Sequence, residues 1–280
     1  MLPKLGILAG GGQLPALVID ACQKMGRPYY VIAFKEQADP ETVSSSPHSW
    51  VRLGAASKAL GILKQEEVKD LVLAGNIHRP SMTQVYPDLW TAKFLTRTGV
   101  LALGDDGLLS TIIKTLENEL GFHVVSPDSL VPGLRAESGM ASSKKPSQQD
   151  QIDIRVAVMA ALDLGAKDKG QAAIACNGQI VGLEDSKGTD ALLKRIATER
   201  SGIPDGGVLA KVAKPQQELR IDLPTIGINT LNEAAKAGLN GIVIEAERSL
   251  VIDRDAVFKK ADELNLFIQS IHVSEVTDGQ

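Results

Sequence analysis

Histidine and cysteine are scarce in this 280-residue chain, and each shortage removes a class of function. Two cysteines, Cys22 and Cys176, cannot build a disulfide framework. Both sit in apolar surroundings and read as core packing, which suits a reducing cytoplasm. The four histidines, His48, His78, His123 and His272, show no metal-ligand spacing. Positive charge is not in excess, since the net charge is -4. That argues against nucleic acid held by a general basic field. No stretch approaches the ~20 unbroken apolar residues that span a bilayer. The opening MLPKLGILAGGGQLPALVI is divided by three glycines, a glutamine and a proline, so it reads as strand, loop and helix, not as a leader peptide. A G-x-S-x-G elbow, a P-loop and a Nudix box are absent, and the GNIH at residues 75–78 lacks the earlier D-x-H of metallophosphoesterases.

What is present is a soluble, core-forming composition, 44% hydrophobic and 23% charged. The first half alternates two periodicities. Strand-like runs fall at Lys4–Ala9, Tyr29–Phe34, Trp50–Leu53, Asp70–Ala74 and His123–Val125. Helical spacing covers Leu14 to Met25, Ser57–Glu67 and Leu109 to Leu120. Strands alternating with crossover helices predict an α/β fold whose N-terminal domain is a Rossmann-like, mostly parallel sheet. The polar stretch Arg135–Asp150 reads as a linker, dividing residues 1–134 from a second α/β domain at 151–280. There, Ala172–Cys176 and Gln179–Leu183 flank Asn177-Gly178, a strong hairpin signal, so the second sheet is expected to be mixed.

The richest segment is KVAKPQQELRIDLPTIG, residues 211–227. Lys211, Lys214, Gln217, Arg220 and Thr225 supply donors suited to phosphate oxygens. Asp222 among them is a candidate metal ligand or water-orienting base. Its bland counterpart is an Asp–Arg salt bridge. Gly11, Gly12 and Gln13 lie between the first strand and first helix, where backbone N–H groups can close on an anion. The pattern there is G-x-G-x-x-P, ending at Pro15, and the bland alternative is a tight strand–helix turn. Asn76 and Arg79, in AGNIHRP, should emerge at the same sheet edge and suit a base, ribose or phosphate. Asp105 and Asp106 are either metal ligands or helix caps. Lys187, Thr189 and Asp190 open a helix, with Thr189 as its N-cap, and would also attract phosphate.

Taken together, GILAGGGQLP, AGNIHRP, GDDGLL, KGTDALLKR and AKPQQELRIDLPTIG resemble the LpxI type of UDP-2,3-diacylglucosamine pyrophosphatase, a family of lipid A biosynthesis in Gram-negative bacteria. The resemblance covers nearly the whole chain, in order. It implies Mg²⁺-dependent hydrolysis of the UDP-sugar diphosphate to UMP and 2,3-diacylglucosamine 1-phosphate, with substrate held between two domains. The family's essential aspartate falls on Asp222. The partner implied is a UDP-linked diacylated sugar lipid, with no nucleic acid. A cytoplasmic protein touching the inner membrane peripherally, and a homodimer, are both compatible with it. Leu89, Trp90, Phe94 and Leu95 are candidates for acyl-chain contact. Two rival readings stand beside this one. The first is an NAD(P)-dependent oxidoreductase resting on Gly10, Gly12 and Glu36, and the second is a nucleotide-sugar-binding protein without turnover.

Overall fold

The computed structural model describes residues 2–77, 86–99, 105–199 and 205–277. The chain divides into two compact units. One comprises Met1–Pro132 with Glu218–Ile221, the other Gly133–Gln217 with Asp222–Gln280.

The first unit runs β1 (Leu5–Ala9), α1 (Leu14–Met25), β2 (Tyr29–Phe34), a short α2 (Pro40–Val43), β3 (His48–Val51), α3 (Ala56–Gln65), β4 (Asp70–Ala74), α4 (Leu89–Thr98), α5 (Asp105–Lys114) and β5 (His123–Val124). All strand pairs are parallel, in the order β3-β2-β1-β4-β5. That is the doubly wound arrangement the alternating periodicity predicts, with the strand order reversing between β1 and β4. Side chains alternate across the sheet. Leu5, Ile7, Val31, Ala33 and Val72 pack with Val18, Ile19 and Cys22 of α1. Ile32, Leu71 and Val124 pack on the other side with Leu63, Ile113 and Leu116. Gly26 ends α1 in the left-handed region at φ 64°, its amide closing on Cys22 and Gln23. α5 does not run on as one regular helix to Leu120. It passes into a π-helical turn at Thr115–Glu119.

The second unit contains α6 (Gln148–Ala166), β6 (Ala172–Cys176), β7 (Gln179–Leu183), α7 (Thr189–Thr198), β8 (Val208–Lys211), β9 (Thr225–Ile226), α8 (Ile228–Lys236), β10 (Gly241–Glu245), β11 (Leu250–Val251), α9 (Arg254–Glu263), β12 (Phe267–Ile271) and α10 (Ser274–Thr277). Its main sheet has the order β12-β10-β8-β6-β7. β12, β10 and β8 are parallel, and β6 is antiparallel to both β8 and β7, so the sheet is mixed. One face packs on α6 through Ala157, Val158, Ala173, Val208, Val243 and Phe267. The other, with Ile174, Leu209, Ile242 and Ile268, packs on Leu193, Leu231 and Val257 of α7, α8 and α9.

The β6–β7 hairpin forms at Asn177-Gly178, both at positive φ (51° and 75°). That conformation matches the right-handed twist of the strands. Buried Asp153 on α6 accepts both turn amides, at 3.2 and 2.6 Å.

Residues 135–150 are bonded into the second unit. Ala136 N–H donates to Ser249 O, Ser142 N–H to Ile268 O, and Ser270 N–H to Met140 O. The serines that make this stretch look like a linker are structural. Ser142 Oγ accepts from Ile268 N–H, and Ser147 caps α6 in a reciprocal box with Asp150.

Candidate functional site

At the reversal point of the first sheet, the loop after β1 meets the loop after β4. Gly10 N–H donates to Ala74 O (2.8 Å). Gly11 and Asn76 then exchange two backbone bonds, at 2.8 and 2.9 Å. A Cβ on Gly10 would sit 2.4 Å from Asn76 O, and one on Gly75 2.3 Å from Gly11 O. The glycines therefore allow two loops to touch backbone to backbone, and the Gly10 and Gly11 amides are spent there. Gly12, Gln13 and Asn76 stay exposed, and no side chain caps α1. Arg79 and His78 lie outside the described residues. Asp105 and Asp106 open α5, and their side chains lie outside the described residues too.

Also in the first unit, Arg220 is held by two carboxylates. Its Nη1 donates to Glu117 Oε1 (2.8 Å) from the π-helical turn, and its Nε to Glu218 Oε1 (3.0 Å). Those bonds push the guanidinium pKa above its ordinary value, despite partial burial. Arg220 thus pairs with Glu117 and Glu218, and Asp222 is left to another partner. On α4 the rings of Trp90 and Phe94 stack at 5.6 Å. They line a surface groove of about 680 Å³ with Lys93, Arg97, Glu119 and Leu120.

In the second unit, one end of the mixed sheet gathers polar groups. β8 ends there at Lys211, β6 begins there after Gln171, and β7 ends there before Glu184. Lys211 Nζ donates to Thr225 O (3.0 Å), while Thr225 Oγ1 turns to Leu223 O. Burial pushes the Lys211 pKa down. The negative charges of Glu184, Asp190 and Asp222 oppose that shift, and the net direction is downward. Asp222 Oδ2 accepts from Gln217 Nε2 at 2.8 Å. Buried Glu184 accepts from Thr189 Oγ1 (3.2 Å) and from Gln171 N–H (3.0 Å). Asp190 accepts from Asn229 Nδ2 at the head of α8.

Gly188, at φ 83°, is the N-cap of α7, so Thr189 is the first helical residue and not the cap. Its hydroxyl goes to Glu184 because the cap position is already filled. Lys187 is exposed. Lys214, nearly buried, pairs through Nζ with Asp168 (2.8 Å). The structure therefore brings Lys211, Asp222, Gln217, Thr189 and Asp190 to one end of one sheet, and gives Lys214 a partner of its own.

Glu184, Gln171 and Asn229 are members of this cluster that motif spacing does not single out. A signal for the first two exists in the Asn-Gly turn. A hairpin folded there carries Gln171 and Glu184 to the same end, and Glu184 N–H bonds Ala172 O. Among the described residues, no group of three His, Cys, Asp or Glu side chains is placed to hold a metal.

Comparison with known proteins gives a single consistent result across the chain. Residues 4–134 match the family model of the LpxI N-terminal domain, and residues 137–269 that of the LpxI C-terminal domain. The UDP-2,3-diacylglucosamine pyrophosphatase LpxI of Caulobacter vibrioides is 37% identical over 278 residues, covering 97% of this chain and 99% of that protein. Among solved structures, an NAD complex of dTDP-glucose 4,6-dehydratase from Bacillus anthracis aligns with 53% of this chain and 43% of its own at 11% identity. Its TM-score of 0.27 is too low to carry an argument. With both family models matched in order and a relative aligned from end to end, the chain belongs to the LpxI family.

Proposed function

We propose that this protein hydrolyses the diphosphate of UDP-2,3-diacylglucosamine, releasing UMP and 2,3-diacylglucosamine 1-phosphate in lipid A biosynthesis, and that it needs Mg²⁺ to do so. The activity is the one named for the Caulobacter relative, which aligns over nearly its full length. The observation that carries the residue assignment is the setting of Asp222. It is a half-buried carboxylate beside Lys211, with Oδ2 held by Gln217 and no hydrogen bond to Oδ1 among the described residues. A diphosphate reaction needs fixed positive charge near the oxygens and a placed carboxylate near the water or metal.

This donor set fits magnesium. Mg²⁺ binds one or two protein carboxylates and completes its shell with phosphate and water. Asp222 would hold the ion. When bound, the ion would neutralise charge on the phosphate oxygens. The chain's own groups do the rest. Lys211 supplies a cation. Lys187, Thr189 and Asp190 lie at the head of α7, where backbone N–H groups favour phosphate. Gly12, Gln13, Asn76 and Arg79 are assigned to the nucleotide side.

No helix among the described residues is long and apolar enough to cross a membrane. The proposed setting is the cytoplasmic face of the inner membrane, touched peripherally, and it admits a homodimer. The groove along Trp90 and Phe94 is assigned to acyl contact. Changing both residues to serine should raise KM for long-chain substrate far more than for a short-chain analogue, and equal effects would remove the acyl role.

The test is direct. Protein, substrate and Mg²⁺ should yield UMP on thin-layer analysis. EDTA should abolish the yield, and Mg²⁺ should restore it. Binding without UMP release would leave only a nucleotide-sugar-binding protein. Thermal stabilisation by NAD(P)H but not by UDP would favour an oxidoreductase.

A further inference from the structure

The loop from β8 to Asp222 is fixed by bonds that lead, one after another, to the carboxylate. Buried Glu245, at the end of β10, accepts Ala213 N–H at 2.9 Å and Arg248 Nη1 at 3.1 Å, and Arg248 Nη2 reaches Lys214 O at 3.4 Å. The start of the loop is therefore tied to the sheet. Lys214 N–H then donates to Gln217 Oε1 at 3.0 Å. A backbone N–H can only donate, so it settles which end of the Gln217 amide is oxygen. The NH₂ end must point the other way. There it meets two acceptors, Asp222 Oδ2 at 2.8 Å and Gln171 Oε1 at 3.3 Å. Gln171 is itself held by Glu184 through its backbone N–H. Gln217 is 7% exposed, and these three bonds occupy both ends of its amide.

We propose that Gln217 is the positioning residue for Asp222: its carboxamide, oriented by Lys214 N–H and steadied by Gln171, ties down Oδ2 and leaves Oδ1 for the reaction. This deepens the function proposed above and rests on Asp222 as the reacting carboxylate. It also moves Gln217 out of the substrate-binding set, since an amide with both ends occupied within the loop has little left for a phosphate. Holding one oxygen fixes the direction of the other. A displacement of about 1 Å in such a group costs about 10²-fold in rate.

Gln217→Glu is the informative variant. It keeps the size and the Lys214 bond, but turns the donor facing Asp222 into an acceptor. Without that donor, Oδ2 is no longer tied down, and kcat should fall about 10²-fold with KM little changed. Gln171→Leu removes the steadying acceptor without touching Asp222. It should lower kcat about tenfold at unchanged KM, and it keeps the proposal testable if the first variant folds poorly.

Raised KM with kcat kept would overturn the proposal and return Gln217 to substrate binding. Unchanged kcat in Gln171→Leu would also overturn it. Asp222→Ala run alongside separates the two levels. If that variant turns over normally, the assignment of Asp222 itself has failed. If it is inactive while Gln217→Glu keeps its kcat, only the positioning role has failed.

Discussion

In the first unit, the loop after β1 is bonded to the loop after β4, so that Gly11 and Asn76 satisfy one another's backbone groups and Ala74 O takes the Gly10 N–H. In the second unit, the loop after β8 is held by side chains, and its bonds converge on Asp222 with one oxygen left over. Both loops look polar and anion-seeking in sequence. The difference lies in what is already paired. A glycine-rich loop cradles phosphate only with amides that have no other acceptor, and here the first two amides have one. An internally paired amide costs nothing to bury, whereas an unpaired one seeks a ligand or water.

The widest test of this contrast sets a catalytic variant against a structural one. Asp222→Ala should lose about 10²-fold or more in turnover, with substrate binding and melting temperature retained. Near-normal turnover would erase the distinction between the loops. Gly75→Ala should do the reverse. Its φ of 91° and the 2.3 Å approach to Gly11 O leave no room for a methyl group. About 3 kcal/mol of stability should disappear, measured by denaturant midpoint, with kcat of the folded fraction kept. A stable Gly75→Ala protein would mean that the two loops are not locked together.

Lys211 sharpens the comparison through pH. Burial lowers its pKa and three nearby carboxylates only partly restore it, so its charge is lost below the ordinary lysine value of about 10.4. Activity that depends on this charge should decline on the alkaline side earlier than an ordinary lysine would allow. Lys211→Arg keeps the charge and should carry the plateau higher, at reduced rate because the point charge is replaced by a planar fork. Identical alkaline limbs would show that Lys211 does not act by charge.

The smallest effect concerns the second unit's structural serines. Burial pushes the Asp150 pKa up, but bonds from Ser147 and Asn240, with Lys144 nearby, pull it below the usual carboxylate range. A folded value below the unfolded one makes its contribution full above the unfolded value, about 3.9, and lost as pH falls through the folded value. Asp150→Ala should cost about 1 kcal/mol at neutral pH and less at strongly acid pH. An equal loss at both would remove the ionised cap.

Much of the architecture was legible because its signals are local. Tyr29–Phe34, Asp70–Ala74, Ala172–Cys176 and Phe267–Ile271 are strands at the bounds their apolar runs mark. Asn177-Gly178 names its own turn. Short β9 and β11 were not legible, since two residues carry no periodicity and they pair only across 25 positions of sequence. The stretch 135–150 misleads by composition, because serines that cap and bridge look the same in sequence as serines that face water.

The amino-acid sequence by itself determined the alternation of helix and strand, the mixed second sheet and the family, because periodicity, turn chemistry and ordered motifs are written along the chain. Which polar groups are already satisfied was decided only by the tertiary structure. Gly11 is bonded to a residue 65 positions away and Arg220 to one 103 away. Sequence spacing cannot report a hydrogen bond closed across the fold.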